Sequence, residues 1–100
     1  MVILIIAGIL IQHFYPRNGI DAKTVKCIAD NSVLYVQTGC SACAAQEKVF
    51  DNMYKELNVV DCKISTDKCF DIIYTPTWII KDKKVVGVQS IESLKQLTGC

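Results

Sequence analysis

Cys40-Ser41-Ala42-Cys43 is the group of residues in this chain best suited to chemistry. Two thiols separated by two residues fall one helical turn apart when the first sits at a helix start. One sulfur then meets the unpaired N–H groups and partial positive charge of the helix N-terminus, which favour a thiolate. The spacing therefore assigns Cys40 as the nucleophile and Cys43 as the thiol that resolves a mixed disulfide. Such exchange needs no metal and no organic cofactor. The competing readings are a structural bridge or half of a zinc site. Zinc takes four ligands, usually from two such pairs. Cys62 and Cys69 are seven apart and no histidine is near, so no metal is expected.

A second signal lies downstream. Thr75-Pro76 precedes the apolar run Thr77-Trp78-Ile79-Ile80. A cis bond before Pro76 would leave the backbone of Thr75 free to pair with an extended substrate beside the dithiol. An ordinary trans proline opening a strand is the alternative. Together with Gly39, which sits directly ahead of Cys40, Thr75 and Pro76 form the expected substrate-binding surface.

The elements needed to position these groups follow from periodicity. Asp21 caps a short helix to Ala29, with Ala22, Val25, Ile28 and Ala29 on one face. Val33 to Gln37 is a buried-type strand, and Thr38-Gly39 turns into the dithiol. From Cys40 to Leu57 the residues Cys43, Gln46, Phe50, Met53, Tyr54 and Leu57 form a helical core stripe. Val59 to Ile64 is a second strand, followed by a short polar turn or helix, Ser65 to Asp71. Thr77–Ile80 and Val85–Val88 form a hairpin across Lys81 to Lys84. Ser90 caps a closing helix with Ile91, Leu94 and Leu97 on one face, stopped by Gly99.

Composition sets the class. A chain of 100 residues with 51% hydrophobic content and net charge +1 supports one small folded domain. It carries no basic cluster or aromatic array for nucleic acid. Six cysteines indicate disulfides in an exported protein or metal in a cytosolic one. Val2 to Ile11 is unbroken apolar sequence, short of the roughly 20 residues that span a bilayer. No Lys or Arg precedes it and no clear cleavage site follows. With Phe14-Tyr15 as an interfacial edge, an uncleaved membrane anchor is expected. A cleaved signal, a buried element or a chain truncated at its start are the alternatives. His13 then lies at the membrane interface rather than in a metal site. Arg17, Lys23 and Lys26 after the block would favour a cytoplasmic domain, but the cysteine content outweighs them. The expected division is an anchor or signal at 1–15, a linker and short helix at 16–31, and the domain at 32–100.

Beyond these readings, the chain resembles the thioredoxin-like superfamily through Cys40-Ser41-Ala42-Cys43 and Thr75-Pro76. Over Tyr35 to Cys100 it is most similar to the thioredoxin-like domain associated with vitamin K epoxide reductase (VKOR) homologues. Pro76-Thr77-Trp78, Gly87-Val88-Gln89-Ser90, Leu97-Thr98-Gly99, Gln46 and the extra pair Cys62 and Cys69 carry that likeness. It implies an α/β thioredoxin-like fold, a mixed sheet of four or fewer strands flanked by helices. It also implies a thiol:disulfide oxidoreductase outside the cytoplasm, forming or shuffling disulfides in protein substrates. The partner would be a quinone-linked membrane enzyme of the VKOR-like or DsbB-like kind. By the same resemblance, Cys40 and Cys43 shuttle electrons, Pro76 is the cis-proline, and Cys62 and Cys69 form an additional disulfide. From the residues alone, that last pair reads as a structural staple or a second exchanging pair, and Cys27 and Cys100 have no evident partner. They could pair together, stay free or bond another protein.

Three departures from the family pattern matter. Gly39 replaces an aromatic residue, Ser-Ala separates the thiols, and Leu34 stands where thioredoxin buries an acid. The alternatives are a reductase fed by a membrane donor, or a disulfide-stapled module that binds peptides without catalysis.

Overall fold

A computed structural model describes residues 20–100. The apolar block, its anchor or signal reading, His13 and the linker at 16–19 lie outside the described residues. Among the described residues no helix is long and apolar enough to cross a membrane.

The first helix, α1 (Ala22–Asp30), begins where Asp21 accepts a 2.7 Å hydrogen bond from the Thr24 N–H. That bond satisfies one of the donors a helix start leaves unpaired, and it lowers the Asp21 carboxyl pKa. Val25, Ile28 and Ala29 are buried as the spacing requires, whereas Ala22 is exposed in the first turn. The chain then enters β1 (Ser32–Val36), whose alternate residues Ser32, Leu34 and Val36 face the core.

The central helix is shorter than its periodicity implies. α2 (Ser41–Phe50) ends at Asp51, whose φ of +54° and ψ of −131° break the helical repeat. A 3₁₀ turn, Asp51–Glu56, follows and carries Met53 and Tyr54 half-buried before Leu57 returns to the core. The apolar stripe is thus continuous in sequence across two kinds of helix.

Strand β2 (Val59–Asp61) pairs parallel to β1, matching Leu34 to Val59 and Val36 to Asp61. A short 3₁₀ turn at Thr66–Lys68 leads towards β3 (Thr77–Ile80), which runs antiparallel to β1. β4 (Lys83–Val86) completes the sheet. Its hairpin differs from the expected four-residue connection: Ile80 pairs with Lys83 across Lys81-Asp82 alone. Both turn residues have positive φ, 51° and 69°, the requirement of the two-residue turn that matches strand twist. The closing helix, α3 (Ile91–Thr98), is capped by Ser90 and ends on Gly99 at φ +80°. Leu94 and Thr98 are its buried residues, while Leu97 is exposed. The Thr98 hydroxyl donates to the Leu94 carbonyl at 2.6 Å, so a polar residue enters the core with its hydrogen bond made.

The sheet order β2-β1-β3-β4 is mixed and four-stranded, flanked by helices, as expected for the fold class. This architecture is compatible with the thioredoxin-like expectation. α1 packs on α3, and their contact is closed covalently by a Cys27–Cys100 disulfide with Cα atoms 6.0 Å apart. Phe50 and Trp78, both fully buried, meet at the centre with ring centroids 6.0 Å apart.

Candidate active site

Because β1 is central, the turn after it and the chain ahead of β3 reach the same end of the sheet. Gln37 to Cys40 closes that turn, with the Cys40 N–H donating to the Gln37 carbonyl at 3.1 Å. Gly39 takes φ +93° as its third residue, a conformation glycine adopts without strain. A side chain at Gly39 would meet open space, so its backbone conformation disfavours the aromatic residue that the resemblance leads one to expect there.

Cys40 is the N-cap of α2, and its sulfur accepts the Cys43 N–H at 3.1 Å. The Thr75 hydroxyl donates to the same sulfur at 3.6 Å. When protonated, the Cys40 thiol can donate to the Thr75 carbonyl, also at 3.6 Å. Partial burial is the largest single influence on Cys40 and opposes ionisation. The hydrogen bonds from Cys43, Thr75 and the Ala42 N–H together outweigh it, and the Cys40 pKa falls below that of an ordinary cysteine. Cys43, only 7% exposed, shifts the other way. Burial pushes its pKa up, and the neighbouring Cys40 sulfur adds to the effect. Neither thiol is in a disulfide.

Thr75-Pro76 is a cis peptide, and Pro76 is buried with its carbonyl accepting the Gly87 N–H at 2.8 Å. The structure thus brings Cys40, Cys43, Thr75, Pro76 and Gly39 to one end of the sheet. Cys62 and Cys69 form a separate disulfide with Cα atoms 5.7 Å apart. It closes the base of the loop that leads to Phe70 (88% exposed), Ile73 and Tyr74, just ahead of Thr75. Among the described residues no group of three or more His, Cys, Asp or Glu converges as a metal site would require.

Two parts of the site go beyond the expectations. Gln46, on the core stripe between Cys43 and Phe50, is fully buried. Its Oε1 accepts from Trp78 Nε1 at 3.0 Å and from the Gln89 N–H at 2.7 Å, while its Nε2 donates to the Gln89 carbonyl at 3.0 Å. This side chain ties the helix bearing the dithiol to β3 and to the segment before α3. A glutamine among apolar stripe positions was the available signal.

The second is a cleft of about 340 Å³ beside the dithiol, lined by Cys40, Cys43, Glu47, Tyr54 and Asp61 among others. Asp61 is held by the Thr38 hydroxyl, by the Lys63 N–H at 2.9 Å and by the Thr38 N–H at 3.2 Å. These bonds, that of the Thr38 side chain foremost, lower its pKa.

No protein-family model matches the chain, and no curated protein matches it. The site's chemistry therefore rests on its geometry. A half-buried sulfur biased towards thiolate beside a buried thiol biased towards the protonated form is an asymmetric pair. Such a pair can attack or release a disulfide at one sulfur and store the second thiol out of solvent.

Proposed function

We propose that the chain is a thiol:disulfide oxidoreductase that forms or shuffles disulfides in protein substrates through Cys40 and Cys43. The observation that carries this reading is the geometry at the start of α2, where a half-buried Cys40 sulfur accepts the Cys43 N–H and the Thr75 hydroxyl beside the buried Cys43 thiol. A substrate thiolate attacks Cys40 in the Cys40–Cys43 disulfide, and Cys43 leaves. A second substrate thiolate then attacks the substrate sulfur of the mixed disulfide. The low pKa of Cys40 makes it the better leaving group in that step.

Thr75, Pro76 and Gly39 form the surface against which an extended substrate would lie. The exposed apolar side chains of Phe70, Ile73 and Tyr74 offer contacts to unfolded chains in the same region. The fold and the dithiol support membership in the thioredoxin-like superfamily, near the domain that serves VKOR homologues. The Cys27–Cys100 and Cys62–Cys69 disulfides support an oxidising, extracytoplasmic compartment, since a reducing cytosol disfavours such bonds. In this reading residues 1–15 tether the domain to the membrane, where a quinone-linked enzyme reoxidises the dithiol.

The test is a Cys43→Ala variant, with Cys40 as the free thiol, incubated with disulfide-bearing proteins. Thiol exchange requires reductant-sensitive adducts through Cys40, lost in Cys40→Ser/Cys43→Ala. A module that only binds peptides would form none.

A further inference from the structure

Cys43 presents a problem that the dithiol alone does not solve. Its thiol is buried, and β1 beside it supplies no carboxylate. Yet it must lose a proton when it resolves a mixed disulfide and regain one when it leaves Cys40. The groups able to exchange that proton are those lining the cleft, namely Glu47 from α2, Tyr54 from the 3₁₀ turn and Asp61 from β2.

Asp61 is committed elsewhere, since its carboxylate accepts three hydrogen bonds from Thr38 and Lys63. Tyr54 is a weak acid made weaker: burial raises its pKa, and the charges of Glu47, Cys43 and Asp61 raise it further. Tyr54, Glu47 and Cys43 line the same cleft. Glu47 lies four residues after Cys43 within α2, the spacing that places two side chains on one helix face. Its carboxylate has no hydrogen-bond or ion-pair partner among the described residues, and it opens to solvent.

We propose that Glu47, acting through one water in the cleft, is the proton-transfer group for Cys43. This rests on the exchange reading above. In the resolving direction the Cys43 proton passes through the water to the Glu47 carboxylate. The Cys43 electron pair forms the bond to Cys40 sulfur, the Cys40–substrate S–S bond breaks, and the substrate leaves as a thiolate. Glu47 then gives its proton to solvent. In the disulfide-donating direction the same steps reverse, and protonated Glu47 delivers the proton to departing Cys43. The acid thus reaches the buried thiol from the helix face rather than from the sheet.

The experiment is stopped-flow reaction of the Cys40–Cys43 dithiol with an aromatic disulfide, the other two disulfides kept intact. Attack by Cys40 releases one chromophoric thiolate in a concentration-dependent phase. Attack by Cys43 releases a second in a concentration-independent phase. We expect Glu47→Gln to leave the first phase unchanged and slow the second at neutral pH by at least about tenfold. That is a modest share of the roughly 10²- to 10⁴-fold a positioned proton-transfer group contributes. The second phase of Glu47→Gln should rise with pH in proportion to hydroxide, where the parent profile is flatter. Glu47→Asp should recover part of the rate, and Asp61→Asn should not reproduce the defect. A normal first phase with an unaltered second phase and pH profile in Glu47→Gln overturns the role of Glu47 alone. Absence of the first phase removes the exchange reading, and this inference with it.

Discussion

The Cys40 sulfur and Thr75 face each other from opposite sides of the site, with the hydroxyl and the carbonyl of Thr75 each 3.6 Å from it. The hydroxyl donates to sulfur and favours thiolate, while the carbonyl can only accept and favours the thiol. Thr75→Val removes the first and keeps the second, so the Cys40 pKa should rise. Alkylation of Cys40 below neutral pH should then slow by about threefold for each unit of rise, the intrinsic gain in nucleophilicity offsetting part of the lost thiolate. Thr75→Ser should alkylate at the parent rate.

The opposed biases of the thiols also set how stability of the dithiol form depends on pH. Between the lowered pKa of folded Cys40 and the ordinary cysteine value of about 8.5, the unfolded chain holds the extra proton, so stability rises with pH. Above about 8.5 the relation reverses, because Cys43 keeps its proton in the folded state after the unfolded chain has lost it. Urea unfolding across this range should show a maximum near that value. In Cys40→Ser the rising limb should disappear, and persistence of the full rise would contradict the assignment.

Gln46 should matter to stability more than its neighbours on the exposed side of α2. Gln46→Leu strands the Trp78 indole N–H and the Gln89 N–H without their acceptor. Leaving one buried and one part-buried donor unpaired should cost about 2 to 4 kcal/mol. Equilibrium unfolding would read this directly. A loss under about 0.5 kcal/mol would mean that the segment before α3 repacks.

The two disulfides should differ in weight. Cys27–Cys100 spans 73 residues and Cys62–Cys69 spans seven. Loop-closure entropy gives about 4 kcal/mol for the first and about 2 kcal/mol for the second. Double replacement by Ala in each pair, followed by denaturant titration, tests that order. Removing Cys62–Cys69 should also expose the Phe70 loop to proteolysis while leaving the alkylation of Cys40 unchanged.

What was legible in the sequence was what is local. The Asp21, Ser90 and Gly99 helix ends, the turn before Cys40 and the placement of Cys43 on a core stripe depend on neighbours within a few residues. The end of α2 was not legible, because the 3₁₀ turn after Asp51 carries the apolar spacing onward. The Lys81-Asp82 turn is shorter than the sequence implies, since Lys is not a residue that signals positive φ. The partners of Gln46 lie 32 and 43 positions away, and Cys27 meets Cys100 only because α1 packs on α3. Glu47 reads as one of several polar residues on the solvent side of a helix until the cleft shows what it faces.

The measurement that bears most directly on the exchange role is the reduction potential of Cys40–Cys43, read by thiol alkylation after equilibration in graded glutathione buffers. A pair that donates disulfides, with a thiolate stabilised in its reduced form, requires a value between about −120 and −200 mV. A value near about −270 mV contradicts the donor direction and makes the chain a reductase. A pair that resists reduction beyond about −300 mV is a structural bond, and contradicts the exchange role altogether.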